Sequence, residues 1–207
     1  MPGEEPSRPA TQARGRARRT VLLDAARALL AERTLDAISL VMVAERAGIP
    51  VSSAYHFFPE VGELWKDLTR AIAVDMAAET TVFPPATGWE ELIGLFLARS
   101  RDVFNNDPAA CQLMLGPHTP PQIKHAGCKE DLRFGAALWR AVSAQFALTA
   151  LANEELFFKA ILIADLFFAL SVADSGRITP EVLGEARLAM CAYLRLYLPV
   201  RLARVAQ

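Results

Sequence analysis

Apolar residues recur at three- and four-residue spacing along most of the chain from Thr20 onward, and period-two alternation is almost absent. The pattern predicts an all-α protein. Leu22, Leu23, Ala26, Leu29 and Leu30 give a first helix its inward face, and Leu35 and Ile38 cover its end. A second, short helix follows Ser39, whose hydroxyl suits an N-cap, with Leu40, Val43, Ala44 and Ala47 along one side. Gly48 ends it, because glycine supplies the positive φ that a helix C-terminus often needs, and Pro50 cannot continue the same helix. The chain restarts over 51–58, is closed by Pro59, and begins a longer helix over 60–78 with Leu64, Leu68, Ile72 and Met76 in line.

Further helices are predicted over 88–105, 108–115, 129–151, 154–175 and 179–198, with 116–127 as the least regular internal stretch. The 154–175 segment is apolar nearly all round, which a one-sided surface helix would not be. One face then meets its own core and the other a second subunit. Leu183, Leu188, Met190, Tyr193, Leu194 and Tyr197 leave the final helix similarly short of polar surface, so 154–175 and 179–198 together predict a homodimer interface. Residues 156–173 approach membrane-spanning length. Lys159 and the central Asp165 would be costly in hydrocarbon, however, the latter by about 2.5 to 3.5 kcal/mol, so the reading is a buried helix with no membrane partner.

Chemistry concentrates near the N-terminus. The short 51–58 helix carries Ser52, Ser53, Tyr55 and His56, small donors and amphipathic rings that suit phosphate and base edges. Residues 1–17 are rich in proline, glycine and arginine without apolar period, so a disordered basic arm is expected. Its region holds Arg8, Arg14, Arg16, Arg18 and Arg19 against Glu4 and Glu5, a density that favours a phosphate backbone or a narrow minor groove; the alternative is a solubilising leader. The whole chain, 207 residues with formal net charge -1, is not basic. DNA affinity would therefore depend on local asymmetry: 8–33 hold seven arginines against Asp24 and Glu32, a net of +5.

The string AGIPVSSAYHFFP, with Ala47, Gly48, Tyr55, His56, Phe58 and Pro59 at their spacing and Val43-Ala44 and Leu64 in register, resembles the DNA-binding end of the TetR-type transcriptional regulators. The resemblance covers roughly residues 18–70. It implies a three-helix domain with a helix-turn-helix over 18–65 and a helical effector-binding and dimerisation domain over 66–207. It also implies a four-helix bundle across a twofold axis, built by the last two long helices, and a near-palindromic operator. The expected DNA-binding residues are Arg16, Arg18, Arg19, Ser39, Val51, Ser52, Ser53, Tyr55, His56 and Lys66. Three departures bear on operator preference. Val61 stands where many members place a lysine, Pro50 replaces a common serine cap, and Ser52 and Ala54 take the usual glycine and leucine positions. Lys66 is either a substitute for the lost charge or a solvated surface residue.

In the body, Phe96, Phe104, Phe134, Trp139, Phe146 and Phe168 supply more aromatic surface than a plain bundle needs, which points to an apolar ligand pocket, although each alone also reads as core. Phe96, Phe104, His118, Phe134, Trp139, Asp165 and Phe168 are the expected ligand contacts. Asp165 lies among Ile161, Leu162, Phe168 and Ala169 and needs a partner, with Arg140, Arg99, a ligand or the second subunit as candidates. His118 and His125 sit in the irregular stretch. Cys111, Cys128 and Cys191 are too far apart for a zinc or disulfide framework, so reduced thiols in the cytoplasm and no cofactor are expected. No leading apolar run with a cleavage site suggests secretion. The nearest catalytic grouping, His118 with Cys111 or His125, has no acid or base fixed around it, and no phosphate loop or HExxH is present. The composite expectation is a ligand-responsive repressor released from its operator by a small apolar or amphipathic effector. Its rival is a helical dimer that senses a ligand or binds a protein while its DNA head has decayed, a reading the loss at Val61 makes conceivable.

Overall fold

The computed structural model describes residues 8–116 and 119–205, and for 8–12 and 121–131 the backbone path alone. Among the described residues there are nine α-helices and no strand beyond an isolated bridge between Phe146 and Arg204. They form two compact units, divided between Leu68 and Thr69.

The first unit contains α1 (Arg8–Leu30), α2 (Leu40–Ala47), α3 (Val51–Phe57) and the start of α4 (Val61–Thr80). Leu22, Ala26, Leu29 and Leu30 of α1 are buried with Leu35, Ile38, Leu40, Val43, Ala44, Ala54, Phe58, Leu64 and Leu68, so the 3.6-residue period builds one core. The Ser39 hydroxyl accepts the Met42 N–H at 3.3 Å and caps α2. Gly48, at φ 64°, closes α2 in the left-handed conformation that only glycine adopts without penalty, and Ile49 N–H returns to the Ala44 carbonyl. The resulting turn launches α3 from Pro50.

The structure corrects the N-terminal arm. α1 begins at Arg8, so residues 8–17 are helical rather than irregular, while 1–7 lie outside the described residues. The stretch lacks an apolar stripe, but Ala10, Gln12, Ala13, Arg14, Arg16, Ala17 and Arg18 are good helix formers that can prolong a helix nucleated by the packed segment after Thr20.

In the second unit α5 (Trp89–Asn106), α7 (Pro121–Ser143), α8 (Glu154–Ser175) and α9 (Pro180–Leu194) pack with the remainder of α4. Between α5 and α7, α6 (Pro108–Ala110) runs into a π-helical turn over Cys111–Leu115. The expected irregular stretch over 116–127 is shorter than its composition suggests: α7 starts at Pro121, with proline in the first turn where its missing N–H costs nothing. That also moves α7 upstream of the expected 129–151. α8 starts on an Asn153 cap to Leu156 N–H at 2.9 Å, and α9 on a Thr179 cap to Val182 N–H at 3.3 Å.

Leu156, Phe157, Ala160, Ile161, Ala164, Phe168 and Ser171 form the buried face of α8. Its approach to α7 is close: a Cβ on Gly135 would fall 2.7 Å from the backbone nitrogen and Cβ of Phe158. α8 has the length and hydropathy of a membrane span. Its buried face nonetheless packs against α7 and α9 as a core helix does. The opposite face carries Leu162, Leu166 and Leu170, the last two 62% exposed, and α9 exposes Leu188 at 71%. The chain after α9 is anchored by the Trp89 indole N–H on the Pro199 carbonyl at 3.0 Å and by Ala147 N–H on the Ala203 carbonyl at 2.8 Å.

Candidate nucleic-acid interface and interior cavity

α3 turns Ala54 inward and leaves Val51, Ser52, Tyr55 and His56 exposed, with Ser53 half-buried. This follows from spacing: Ala54 and Phe58 are one turn apart on the core side, so the residues between them must face away. Tyr55 is 46% exposed, and the His56 ring meets Phe57 edge-on at 5.5 Å. Ser39, exposed at the α2 cap, uses its hydroxyl as an acceptor and keeps its O–H free to donate elsewhere. Arg14, Arg16 and Arg18 are exposed on α1.

Two of the sequence-derived cations have partners in the chain. Arg19 differs from its neighbours: its Nε donates to Asp67 Oδ2 at 2.7 Å, its terminal nitrogens reach Asp67 and the Phe57 carbonyl, and its guanidinium lies 4.5 Å over the Phe58 ring. Carboxylate and ring therefore engage its planar fork within the chain, unlike those of Arg14, Arg16 and Arg18. It fastens α1 to the α3–α4 corner. Lys66 pairs with Glu63 one turn earlier at 2.9 Å, which fits the solvated-surface reading of this lysine. Val61, the first residue of α4, is half-buried.

The body gathers Phe96, Phe104, Phe134, Asp165 and Phe168 around one cavity, joined by Met76, Leu97, Ser100, Met114 and Ile161. The Phe104 and Phe168 rings meet edge to face, centroids 6.4 Å apart. The volume is about 20 Å³, room for a single water. Trp139 is not on the lining, because its indole N–H is fixed on the Ala152 carbonyl at 2.7 Å; this corrects its place among the ligand contacts. His118 lies outside the described residues, as do the side chains of His125 and Cys128. Arg99, one of the candidate partners for Asp165, donates to the Val82 carbonyl and lies over the Phe83 ring. Asp165 does interact within the chain. Ser100, 3% exposed, was missed by the sequence reading, and its hydroxyl has no hydrogen-bond partner. A serine at an otherwise apolar inward register of α5 was the available signal. Burial, with the Asp107 carboxylate nearby, pushes the Cys111 thiol up, away from the thiolate a nucleophile needs.

An exposed short helix set on a helix-turn-helix corner is the geometry of a groove reader. Residues 22–64 match the sequence model of the bacterial regulatory proteins of the tetR family. Those residues carry a DNA-binding head of the tetR type. Among solved structures, a TetR-family transcriptional regulator from Streptomyces coelicolor is similar at 22% identity and TM-score 0.69, covering 87% of this chain and 99% of that one. SmeT, the repressor of the multidrug efflux pump SmeDEF of Stenotrophomonas maltophilia, is similar at 16% identity and TM-score 0.59, covering 87% and 90%. RolR, solved in complex with resorcinol, is similar at 15% identity and TM-score 0.64, covering 92% and 91%. At these identities the likeness is one of fold. A search of curated protein sequences returns no match.

Proposed function

We propose that this protein is a transcriptional regulator of the TetR type, a cytoplasmic, homodimeric repressor that leaves a near-palindromic operator when a small apolar or amphipathic effector enters the helical body. The observation that carries the reading is α3, whose Val51, Ser52, Tyr55 and His56 face solvent on a head with its own closed core. In this reading Ser39, Ser52, Ser53, Tyr55 and His56 contact phosphate and base edges, while Arg16 and Arg18 add salt-dependent affinity. The exposed leucine stripe on α8 and Leu188 on α9 support self-association through these helices, and twofold symmetry then spaces two α3 helices over half-sites about one turn or more of DNA apart. The boundaries follow as 18–65 for the DNA-binding domain and 66–207 for the effector and dimerisation domain.

The aromatic cavity supports the effector half of the proposal, as does the likeness to RolR, whose ligand is resorcinol; the likeness to SmeT, a repressor, supports the sign of regulation. At about 20 Å³ the cavity must expand to hold an effector, and binding that favours an expanded body lowers operator affinity by linkage if the two states space the heads differently.

Selection of bound sequences from randomised duplex DNA, at two salt concentrations, tests the reading without knowledge of the effector. Enrichment of a near-palindrome is expected. Weak salt-sensitive binding with no enriched sequence would instead favour a dimer whose head has decayed. Alanine at both Tyr55 and His56 should weaken binding to the selected sequence at least tenfold while leaving the dimer intact.

A further inference from the structure

Among the described residues ten line the cavity of the body, and eight of them are apolar: Met76, Phe96, Leu97, Phe104, Met114, Phe134, Ile161 and Phe168. The two polar members are Ser100 and Asp165, and they differ in one respect. Asp165 already interacts within the chain. The Ser100 Oγ is buried and unpartnered, the one such side-chain atom among the described residues. No described group of the chain satisfies this buried hydroxyl, which leaves it open to a hydrogen bond from a molecule in the cavity. A ligand group that supplies that bond is favoured on binding.

The remaining lining restricts the ligand further. Among the described residues no lysine or arginine stands on it, so there an anionic head would meet an apolar wall without a counter-charge. Asp165 interacts within the chain, so a cationic guest would have to compete with that interaction. Four phenylalanine rings favour an aromatic guest through edge-to-face contact. Met76 and Met114 are unbranched, flexible walls that can yield as the volume grows from about 20 Å³.

We propose that this cavity takes a neutral aromatic molecule bearing a hydroxyl group, and that the Ser100 hydroxyl selects it by hydrogen-bonding that group. The inference rests on the reading of the body as an effector domain, but it concerns binding and is tested without DNA. The full-length protein is titrated calorimetrically with four probes of one shape: toluene, p-cresol, p-toluate and 4-methylbenzylamine. p-Cresol is expected to bind about tenfold tighter than toluene, as one net hydrogen bond allows, and tighter than either charged probe. In Ser100→Ala the preference of p-cresol over toluene collapses, with toluene unchanged or tighter. Persistence of the preference in Ser100→Ala, binding of a charged probe as tight as that of p-cresol, or no binding of p-cresol each overturns the proposal. The variant should melt at the same temperature as the parent or slightly higher, since it loses only an unpartnered hydroxyl. A fall of several degrees would mean that the hydroxyl is bonded in the native state and would also overturn it. Binding of p-cresol by the Ser100 hydroxyl without release of selected DNA would support this inference and reject the effector-responsive reading of the preceding subsection.

Discussion

The head and the body of this protein place their apolar and polar groups in opposite ways. Up to Leu68 the core is apolar, the Ser39 hydroxyl caps a helix, Arg19 is held by Asp67 and Phe58, and the exposed face of α3 is mostly polar or amphipathic. From Thr69 onward a serine hydroxyl is turned inward without a partner, while Leu162, Leu166, Leu170 and Leu188 are turned outward. A head of the first kind is complete as a folded unit and offers donors and rings to a polar surface. A body of the second kind carries a polar atom inside and an apolar stripe outside, the two features to which the readings proposed above assign a guest and a second copy.

The strongest way to break this contrast is at the external surface. Leu166→Glu combined with Leu170→Glu puts two carboxylates on the exposed face of α8. Self-association should weaken at least a hundredfold, about 3 kcal/mol, as read by sedimentation equilibrium, while helicity is retained. An association constant equal to the parent's would show that this stripe is not an interface, and the body would then be as complete as the head.

Glycine separates the two regions more finely. A Cβ on Gly135 would sit 2.7 Å from the backbone of Phe158, so alanine must push α7 from α8 and should cost about 1 to 3 kcal/mol. A Cβ on Gly48 would meet nothing within 4 Å, but the residue stands at φ +64°, so alanine there pays only the backbone term of about 1 kcal/mol. Denaturant titration of both variants, read by the midpoint shift, should rank Gly135→Ala as the more damaging. The reverse order would mean that the helix contact in the body relaxes more easily than the turn in the head.

These two positions also mark what a sequence can disclose. Gly48 was legible, because a glycine two residues before a proline at the end of an apolar period has a local meaning. Helix α8, Glu154–Ser175, was legible at both ends for the same reason: Asn153 and Gly176 are local caps. Gly135 was not, since its requirement comes from Phe158 on another helix. The start of α1 was misplaced because residues 8–17 carry helix propensity without an apolar stripe, and the stripe was the signal followed. In the cavity, Phe96, Phe104, Phe134, Asp165 and Phe168 were found by type, an aromatic or a buried carboxylate, whereas Trp139 shared the type but faced the Ala152 carbonyl, and Ser100 was too ordinary to notice. Side-chain type reports what could line a cavity; only packing decides which residues do.

Arginine sharpens the contrast within the head itself. Arg19→Ala should destabilise the protein by about 1 kcal/mol, a value discounted for its 42% exposed side chain, and should leave the salt dependence of DNA binding nearly unchanged. Arg16→Ala and Arg18→Ala should do the converse, leaving stability unaltered and each lowering the slope of log affinity against log salt by about one. Thermal melts and binding isotherms at several salt concentrations distinguish them. If Arg19→Ala lowered the salt slope like the others, its ion pair with Asp67 would have to open on DNA.

The smallest effect belongs to an ion pair inside the body. Arg195, just past α9, donates Nε to Glu90 Oε1 at 2.8 Å and a terminal nitrogen to Oε2 at 2.9 Å, tying the start of α5 to the end of the last helix. The hydrogen bond from Arg195 holds the Glu90 carboxyl below its ordinary value, burial partly opposing it. A carboxyl depressed in the folded state favours folding above its unfolded value, and that contribution fades as pH falls through the folded one. The parent should therefore exceed Glu90→Gln in stability by no more than about 0.5 kcal/mol at neutral pH, and the gap should close below about pH 4.3. Paired melting curves at pH 7 and at progressively lower pH measure it. A gap that stayed unchanged on acidification would mean that Arg195 leaves Glu90 in solution, and that the end of α9 is held by the Trp89 indole on Pro199 rather than by charge.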